Sequence, residues 1–169
     1  MKKILPSLVT GFGAGVLHIV PIAKSFSCCL IVPLAAFLAV NLEKKSNKII
    51  GVIDLKRGAL IGFLTGVFAA LFGSFFDIFI TFITRNNDIL LSITEIINMI
   101  DELPFPQEMK IQVIEMMQNI VSSIKSTGFS SLYASAILLN NFIVNPIFGL
   151  IGGIVGTKII NSRSQSLSR

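Results

Sequence analysis

Asp77 is the residue of this chain whose type and place have the clearest chemical meaning. It is the one charged side chain in the apolar run from Gly58 to Ile83. An ionised carboxylate is costly in apolar surroundings, so it usually faces a cavity or a partner of opposite charge. Asp77 therefore predicts either an ion pair that joins helices near one end of the run or an acid that binds a proton or a cation.

Five other polar residues fall in apolar stretches and complete a candidate polar or ion site. His18 and Lys24 come late in the first apolar stretch, where either side chain has the depth to pair with Asp77. The last apolar run contains three amides, Asn140, Asn141 and Asn145. Buried amides commonly form hydrogen bonds between helices. The sequence favours that interpretation, and a polar path along the amides stays open as the alternative.

The residue types give no support to an enzyme. The chain has one histidine, so neither a histidine-based metal site nor a Ser-His-Asp arrangement is predicted. Eleven of its thirteen glycines lie in apolar runs, and none belongs to a phosphate-binding loop. Cys28 and Cys29 are adjacent, and because neighbouring cysteines rarely bridge, we interpret them as small apolar helix residues. We expect no catalytic residue, no metal and no cofactor.

The distribution of apolar residues predicts a membrane protein. Apolar side chains make up 53% of the 169 residues and charged side chains 14%, with a mean hydropathy of +0.81. Soluble domains carry about 25% charged residues, and here the apolar residues form long blocks. The net charge of +5 then indicates the basic edges of a membrane protein and not a nucleic-acid partner.

Four helices that cross the bilayer are predicted within one membrane domain, which makes the fold class an all-α polytopic membrane protein. They cover about residues 4–23, 26–42, 58–83 and 131–160. The first two form a short hairpin around a turn at Pro21–Ser25, and a kink is expected at Asn145-Pro146 because proline removes a backbone donor. Crossing takes roughly 20 apolar residues. Since both helices of the hairpin are short and contain proline, a hairpin that enters without crossing is the alternative.

Residues 84–130 form the one substantial insertion outside the apolar runs. Asn86, Asn87 and Asp88 offer helix N-caps, and isoleucines recur at spacings of three and four from Ile89 to Ile100. A second helix is predicted over Gln107–Lys125, with Gly128 as its stop. The insertion is therefore an amphipathic helical hairpin. Its apolar faces must be buried against each other, on the membrane surface or on a partner.

Glycines spaced four apart are the strongest pattern in the chain. Such ladders let helix backbones approach closely, which matters in lipid because there is little hydrophobic drive between helices. We expect them to pack helices within the chain, and one ladder to join a second subunit. The expected partners are the lipid bilayer and either a second copy or a larger membrane complex. The ladders consist of Gly11 and Gly15, of Gly58, Gly62 and Gly66, of Gly149 and Gly153, and of Gly152 and Gly156.

The basic residues predict the orientation in the membrane. With the N-terminus in the cytoplasm, ten of the fourteen lysines and arginines fall on the inner side. Cytoplasmic loops carry an excess of these residues. We therefore expect both termini to be cytoplasmic and residues 84–130 to lie on the outer side.

The layout resembles that of small four-span bacterial membrane proteins whose activity is unassigned. The resemblance rests on the short apolar hairpin, the glycine ladder of the third run, the helical insertion, and the glycine-rich end from Phe148 to Ile160. It implies a bacterial inner-membrane location and transfers no catalytic or binding residue.

Two functions follow as expectations. The first is a non-enzymatic structural or accessory membrane subunit that packs or self-associates through its glycine faces. The alternative is a small channel or ion-coupled transporter that uses Asp77 and the asparagines of the last run.

Overall fold

A computed structural model of the chain describes residues 4–20, 23–24, 26–47 and 51–166. Within these ranges it contains six α-helices and no strand, which confirms the all-helical prediction. The helices are α1 Leu5–Leu17, α2 Val32–Ser46, α3 Leu55–Thr84, α4 Asp88–Glu102, α5 Gln107–Thr127 and α6 Ser131–Ser166. A π-helical turn, Ser27–Ile31, runs directly into α2.

The chain divides into two compact units. Unit 1 consists of Met1–Phe76 with Ile137–Arg169, and unit 2 of Asp77–Ala136. Unit 1 therefore holds α1, α2, most of α3 and most of α6. Unit 2 holds the predicted insertion together with the adjoining ends of α3 and α6.

Among the described residues two helices, and not the four predicted, are long and apolar enough to cross a membrane. They are α3 and the stretch Ser131–Arg163 of α6. The prediction of spans at 4–23 and 26–42 is wrong, because α1 has 13 residues and α2 has 15. At about 1.5 Å per residue these helices are about 20 Å long, against roughly 30 Å of hydrocarbon. The turn predicted at Pro21–Ser25 lies mostly outside the described residues.

Prolines and a change of helix type explain why the first two helices are short. Pro6 and Pro33 both stand in the first turn of their helices, where a missing N–H costs nothing. The segment before Pro33 forms a π-helical turn, whose hydrogen bonds span five residues instead of four. The α-helical pattern therefore does not continue towards the N-terminus from α2. The sequence stays apolar across these prolines and the π-helical turn, whereas the α-helices end there.

Glycines of α3 and α6 form the closest helix contact in unit 1. A Cβ placed on Gly62 would lie 2.7 Å from Gly153 Cα, and one placed on Gly66 would lie 2.6 Å from Pro146 Cα. Gly58 approaches Thr157 and Gly153 in the same way. Rising numbers on α3 meet falling numbers on α6, so the two helices are antiparallel. We call this contact the glycine seam.

The helix α1 attaches to α3 through a glycine ladder of its own. A Cβ on Gly11 would lie 2.6 Å from Phe68 Cβ, so α1 lies along α3. Ser7 Oγ donates to the carbonyl oxygen of Ile61 at 3.1 Å and adds a polar contact to this pair. The first helix is therefore held by close packing and by one buried hydrogen bond.

The helix α2 lies along the second glycine ladder of α6. A Cβ on Gly152 would lie 2.5 Å from Pro33 Cα, and one on Gly156 would lie 3.0 Å from Phe37 Cα. Both pairs of positions are four residues apart, so the two helices follow each other over one turn. Gly152 and Gly156 thus pack against α2, whereas Gly153 on the neighbouring face packs against α3.

Unit 2 contains the helical hairpin predicted between residues 84 and 130. The side chain of Asn87 accepts a hydrogen bond from the N–H of Leu90 and caps α4. The Lys110 Nζ donates to the Asp101 carbonyl at 2.6 Å and joins α5 to the end of α4. Gly128 ends α5 with φ of 78°, a left-handed conformation that glycine adopts without strain.

Replacing Gly62 by alanine is expected to destabilise the protein by about 1–3 kcal/mol, the usual cost of overpacking. The new Cβ would overlap backbone atoms of Gly153, which cannot move without separating the helices. Unfolding in detergent micelles, followed by circular dichroism, measures the change.

The matched control is Gly13→Ala, because nothing lies within 4 Å of a Cβ at Gly13. This change should be neutral or slightly stabilising, since alanine favours helix more than glycine does. Similar losses in both variants would show that the seam has no special role.

Candidate functional site

Buried polar side chains of unit 1 meet on one stretch of α3. The Asn141 side chain donates through Nδ2 to Ser74 Oγ at 2.9 Å, and both residues are buried. His18 is also buried, and a Cβ placed on Gly73 would lie 3.1 Å from its Nδ1. Because Gly73 and Ser74 are consecutive, α1 and α6 bring polar groups to neighbouring positions of α3. We call His18, Ser74, Asn141 and Asn145 the polar core.

Asn145 is the member of the polar core with an unmet hydrogen bond. It is 1% exposed, and its Nδ2 has no partner among the described residues. The next residue, Pro146, stands inside α6 and has no N–H to give to the carbonyl of Phe142. A buried donor without a partner costs about 1–3 kcal/mol. The side-chain amide of Asn145 therefore has a hydrogen-bond donor that the described residues do not use.

The remaining predicted site residues differ in their burial. Asn140 is exposed, since it lies off the helix face that Asn141 and Asn145 share. Lys24 is half-buried, and its backbone N–H donates to the Val20 carbonyl at 2.8 Å. Asp77 is half-buried in α3 and belongs to unit 2. Its pairing with His18 or Lys24 stays a prediction.

The glycine ladders, predicted as helix-packing residues, contact helices of the same chain. Those of α1 and of α3 lie against α3 and α6 respectively, and the two ladders of α6 lie against α3 and α2. Because each ladder is covered in this way, a second subunit would have to bind another surface. Contact between one glycine ladder and a second subunit stays a prediction, and none of these ladders is left uncovered to support it. The covered glycines are Gly11, Gly15, Gly58, Gly62, Gly66, Gly149, Gly152, Gly153 and Gly156.

A buried ion pair joins α2 to α3, and the sequence analysis did not predict it. Glu43, near the end of α2, is 1% exposed, and its Oε1 accepts a hydrogen bond from Arg57 in the first turn of α3. The second carboxylate oxygen of Glu43 has no partner among the described residues. The sequence signal was an acid at the border between an apolar run and a basic segment.

Asn161 makes a second polar contact that sequence analysis missed. Its Oδ1 accepts from the N–H of Ile53 at 2.9 Å, and its Nδ2 donates to the Ile53 carbonyl at 2.9 Å. One side-chain amide thus satisfies both backbone groups of a residue that precedes α3. This pairing fixes the entry of α3 against the end of α6.

Unit 2 carries apolar side chains on its surface. Met109, Val113 and Met116 are exposed at spacings of four and three residues on α5, and we call them the α5 stripe. Glu108 and Glu115 are exposed on the same helix. Lys110, which joins α5 to the end of α4 through the Asp101 carbonyl, is buried, whereas the α5 stripe is exposed.

The arrangement is suited to packing and binding. Among the described residues no three His, Cys, Asp or Glu side chains are grouped so as to hold a metal ion. The polar core combines hydroxyl, amide and imidazole groups, which donate and accept hydrogen bonds. Its chemistry is therefore that of a small hydrogen-bonding site between closely packed helices.

Removing Arg57 as the partner of Glu43 is expected to destabilise the protein by about 1–3 kcal/mol. Breaking a fully buried ion pair costs roughly 3–5 kcal/mol. The loss expected here is smaller, because the Arg57 side chain is 40% exposed and solvent screens its charge. The variants are Arg57→Leu, Glu43→Leu and the double Glu43→Leu/Arg57→Leu. The double variant should recover most of the loss, because no buried charge is left behind.

Denaturant unfolding of the natural protein and the three variants gives the coupling energy as a double-mutant cycle. Lys45→Leu serves as control, since Lys45 is an exposed cation at the same helix end. If the double variant loses as much as the two single variants together, the pair makes no contribution of its own.

Comparisons with protein-family models, with curated proteins and with solved structures find no match for this chain. The function must therefore be argued from the site and the surfaces of the molecule itself.

Proposed function

We propose that this chain is a non-enzymatic integral membrane protein that serves as an accessory subunit. The membrane location is supported by the sizes of the side chains in unit 1, which are small inside and large outside, the opposite of a soluble protein. Its buried residues are mostly small, among them Ala36, Ala69 and Thr157. Its exposed apolar residues are large and include Leu60, Leu71, Phe75, Leu139, Ile143 and Ile147.

Lipid explains this reversal better than water does. A soluble protein buries its large apolar side chains, and its contiguous exposed apolar patches rarely exceed a few hundred Å². In a bilayer the tails solvate large apolar groups, and small residues allow helices to approach. We propose that α3 and α6 cross the membrane and that α1 and α2 form a hairpin that enters it without crossing.

The proposed orientation keeps both termini in the cytoplasm, on the grounds of the basic residues. The inner side then holds the basic segment that includes Lys44, Lys45 and Arg57, and the outer side holds unit 2. The resemblance in layout to small bacterial membrane proteins supports an inner-membrane location.

The accessory role rests on the α5 stripe. Exposed apolar residues on a segment outside the spans need a covering surface. Between Asp88 and Lys125 the sequence has six carboxylates and two lysines, a formal charge of −4. Anionic lipid headgroups attract basic segments, so an acidic hairpin gains no electrostatic attraction from such a surface. We propose that the stripe binds another membrane protein through a basic, apolar segment.

A second copy of the chain is the weaker candidate for that partner. The glycine ladders favoured for self-association are covered, since Gly58, Gly62 and Gly66 contact α6 of the same chain. A homo-oligomer would have to use the lipid-facing surfaces or the hairpin. The acidic hairpins of two copies would repel each other at a shared contact.

Photo-crosslinking from the α5 stripe tests the accessory role. A benzophenone amino acid at position 116 should give an adduct with another protein in native membranes, identified by mass spectrometry as a basic, apolar segment. The control places the probe at Gln118, which is exposed on the opposite side of α5. Changing Glu108 and Glu115 to lysine should reduce the adduct at least threefold.

Adducts with lipid alone would show that the stripe binds the membrane surface and not a protein. An adduct of twice the mass of the 18.3 kDa chain would show that it binds a second copy. Equal yields from positions 116 and 118 would remove the stripe as a binding surface.

A channel or an ion-coupled transporter is the second candidate function, and the unmet amide of Asn145 is the observation that favours it. Such a path should give cation or proton flux in proteoliposomes. Asn145→Leu and Asp77→Asn should each lower that flux at least tenfold, with Asn140→Leu as the exposed control. The absence of flux in the natural protein would remove this candidate and leave the accessory role untouched.

A further inference from the structure

Unit 2 contains a cavity of about 410 Å³ where α5 ends and α6 begins. Sites for small molecules commonly have volumes of about 300–1,000 Å³. Five of its lining residues are serines or threonines, one is Asn119, and three are apolar. None of the described lining residues is charged. The cavity is therefore large enough for one small polar group and has no counter-ion for a charged one.

The lining groups both donate and accept hydrogen bonds. The hydroxyls of Ser126 and Thr127 donate to carbonyls of the preceding helix turn. The Thr127 oxygen also accepts from the N–H of Phe129, so it is the Ser126 oxygen that is left to accept. Ser130 Oγ accepts from the N–H of Tyr133 and keeps its proton to donate. Asn119 and Ser123 add an amide and a hydroxyl from the face of α5. A ligand whose own groups each donate and accept, such as a polyol, matches this set.

An aromatic ring stands at the rim of the cavity. Phe129 is 46% exposed and lines the cavity together with Leu132. The flat apolar face of such a ring suits the C–H face of a pyranose, whose hydroxyls point sideways towards donors and acceptors. The combination of a ring, hydroxyls and an amide without charge points to a neutral sugar.

The place of the cavity along the chain indicates how the sugar arrives. Ser130, Ser131 and Leu132 lie at the first turn of α6, whose apolar length is sufficient to cross a membrane. A ligand bound there is level with the start of that apolar segment. From this we infer that the cavity binds a neutral hexose, carried either as the headgroup of a glycolipid or as a free sugar. This inference is independent of the accessory role.

Gly128 forms the turn between α5 and α6 at this junction. It holds the left-handed conformation between the two helices, and a Cβ placed there would lie 2.5 Å from the carbonyl oxygen of Phe82. The tight turn brings the last turn of α5 against the first turn of α6. The cavity is thus fixed by backbone geometry and not by the side chains that would bind the sugar.

Lipid titration of the full chain tests the inference. The protein is purified in an amine-oxide detergent, because sugar detergents would compete, and lipid binding is followed by native mass spectrometry. Monoglucosyl diacylglycerol is the probe, with diacylglycerol and phosphatidylglycerol as the comparison lipids. We expect saturable binding of the glucolipid at least tenfold tighter than of either comparison lipid, and displacement by excess methyl glucoside.

A pair of matched double variants assigns the binding to the cavity. Asn119→Leu/Ser123→Val removes two lining groups, and Gln118→Leu/Ser122→Val makes the same changes one position earlier, outside the lining. The first should weaken glucolipid binding about tenfold, and the second by less than twofold. Unfolding curves of both variants report whether either one fails to fold.

Each outcome decides the inference. Glucolipid binding at least a hundredfold tighter than that of methyl glucoside assigns the source to the membrane, and similar affinities assign it to a free sugar. Three results would overturn it: no saturable binding of either sugar probe, equal losses in the two double variants, or tighter binding of phosphatidylglycerol than of the glucolipid.

Discussion

The close approach of α3 and α6 along their glycines is the contact on which the rest of unit 1 depends. Each of these helices has a second neighbour, because α1 lies along α3 and α2 lies along α6. Both outer helices also attach through glycines, Gly11 on one side, and Gly152 and Gly156 on the other. A short helix such as α1 buries little area of its own. It gains stability by lying against a pair of backbones that is already fixed.

Packing of this kind also explains where the polar groups are. Small residues bring backbones together, and the space between them admits only short side chains such as Ser74 and Asn141. Larger polar groups appear at the ends of the helices. Glu43 and Arg57 meet at the ends of their helices, and His18 lies at the end of α1. Polar contacts therefore follow from the packing and lock helices that van der Waals contact has already positioned.

Sequence analysis predicted the helices and the glycine faces, and it failed where a result depended on contacts between segments. A spacing of four residues can be seen in a short stretch of sequence. Which helix packs against each ladder depends on residues that are distant in the sequence. The short helices were mistaken for spans because composition stays apolar through Pro33 and through the π-helical turn. Glu43 and Arg57 are separated by a loop, so their pairing needs the ends of two helices to meet. The cavity is lined mainly by serines and threonines. Such residues are common at helix ends, so nothing in the sequence marks them as a site.

Charge separates the two units as clearly as packing does. The whole chain has a formal charge of +5, and the segment from Asp88 to Lys125 has −4, so all other residues together carry +9. In the proposed orientation the basic part faces the anionic inner surface, which favours it by about 1 kcal/mol for each lysine or arginine near the lipid. In the same orientation the acidic hairpin lies on the other side of the membrane, where its charge is complementary to a basic partner. We propose that the α5 stripe binds such a partner, and the uncharged cavity beside α6 is the part of unit 2 best suited to a neutral ligand at the membrane.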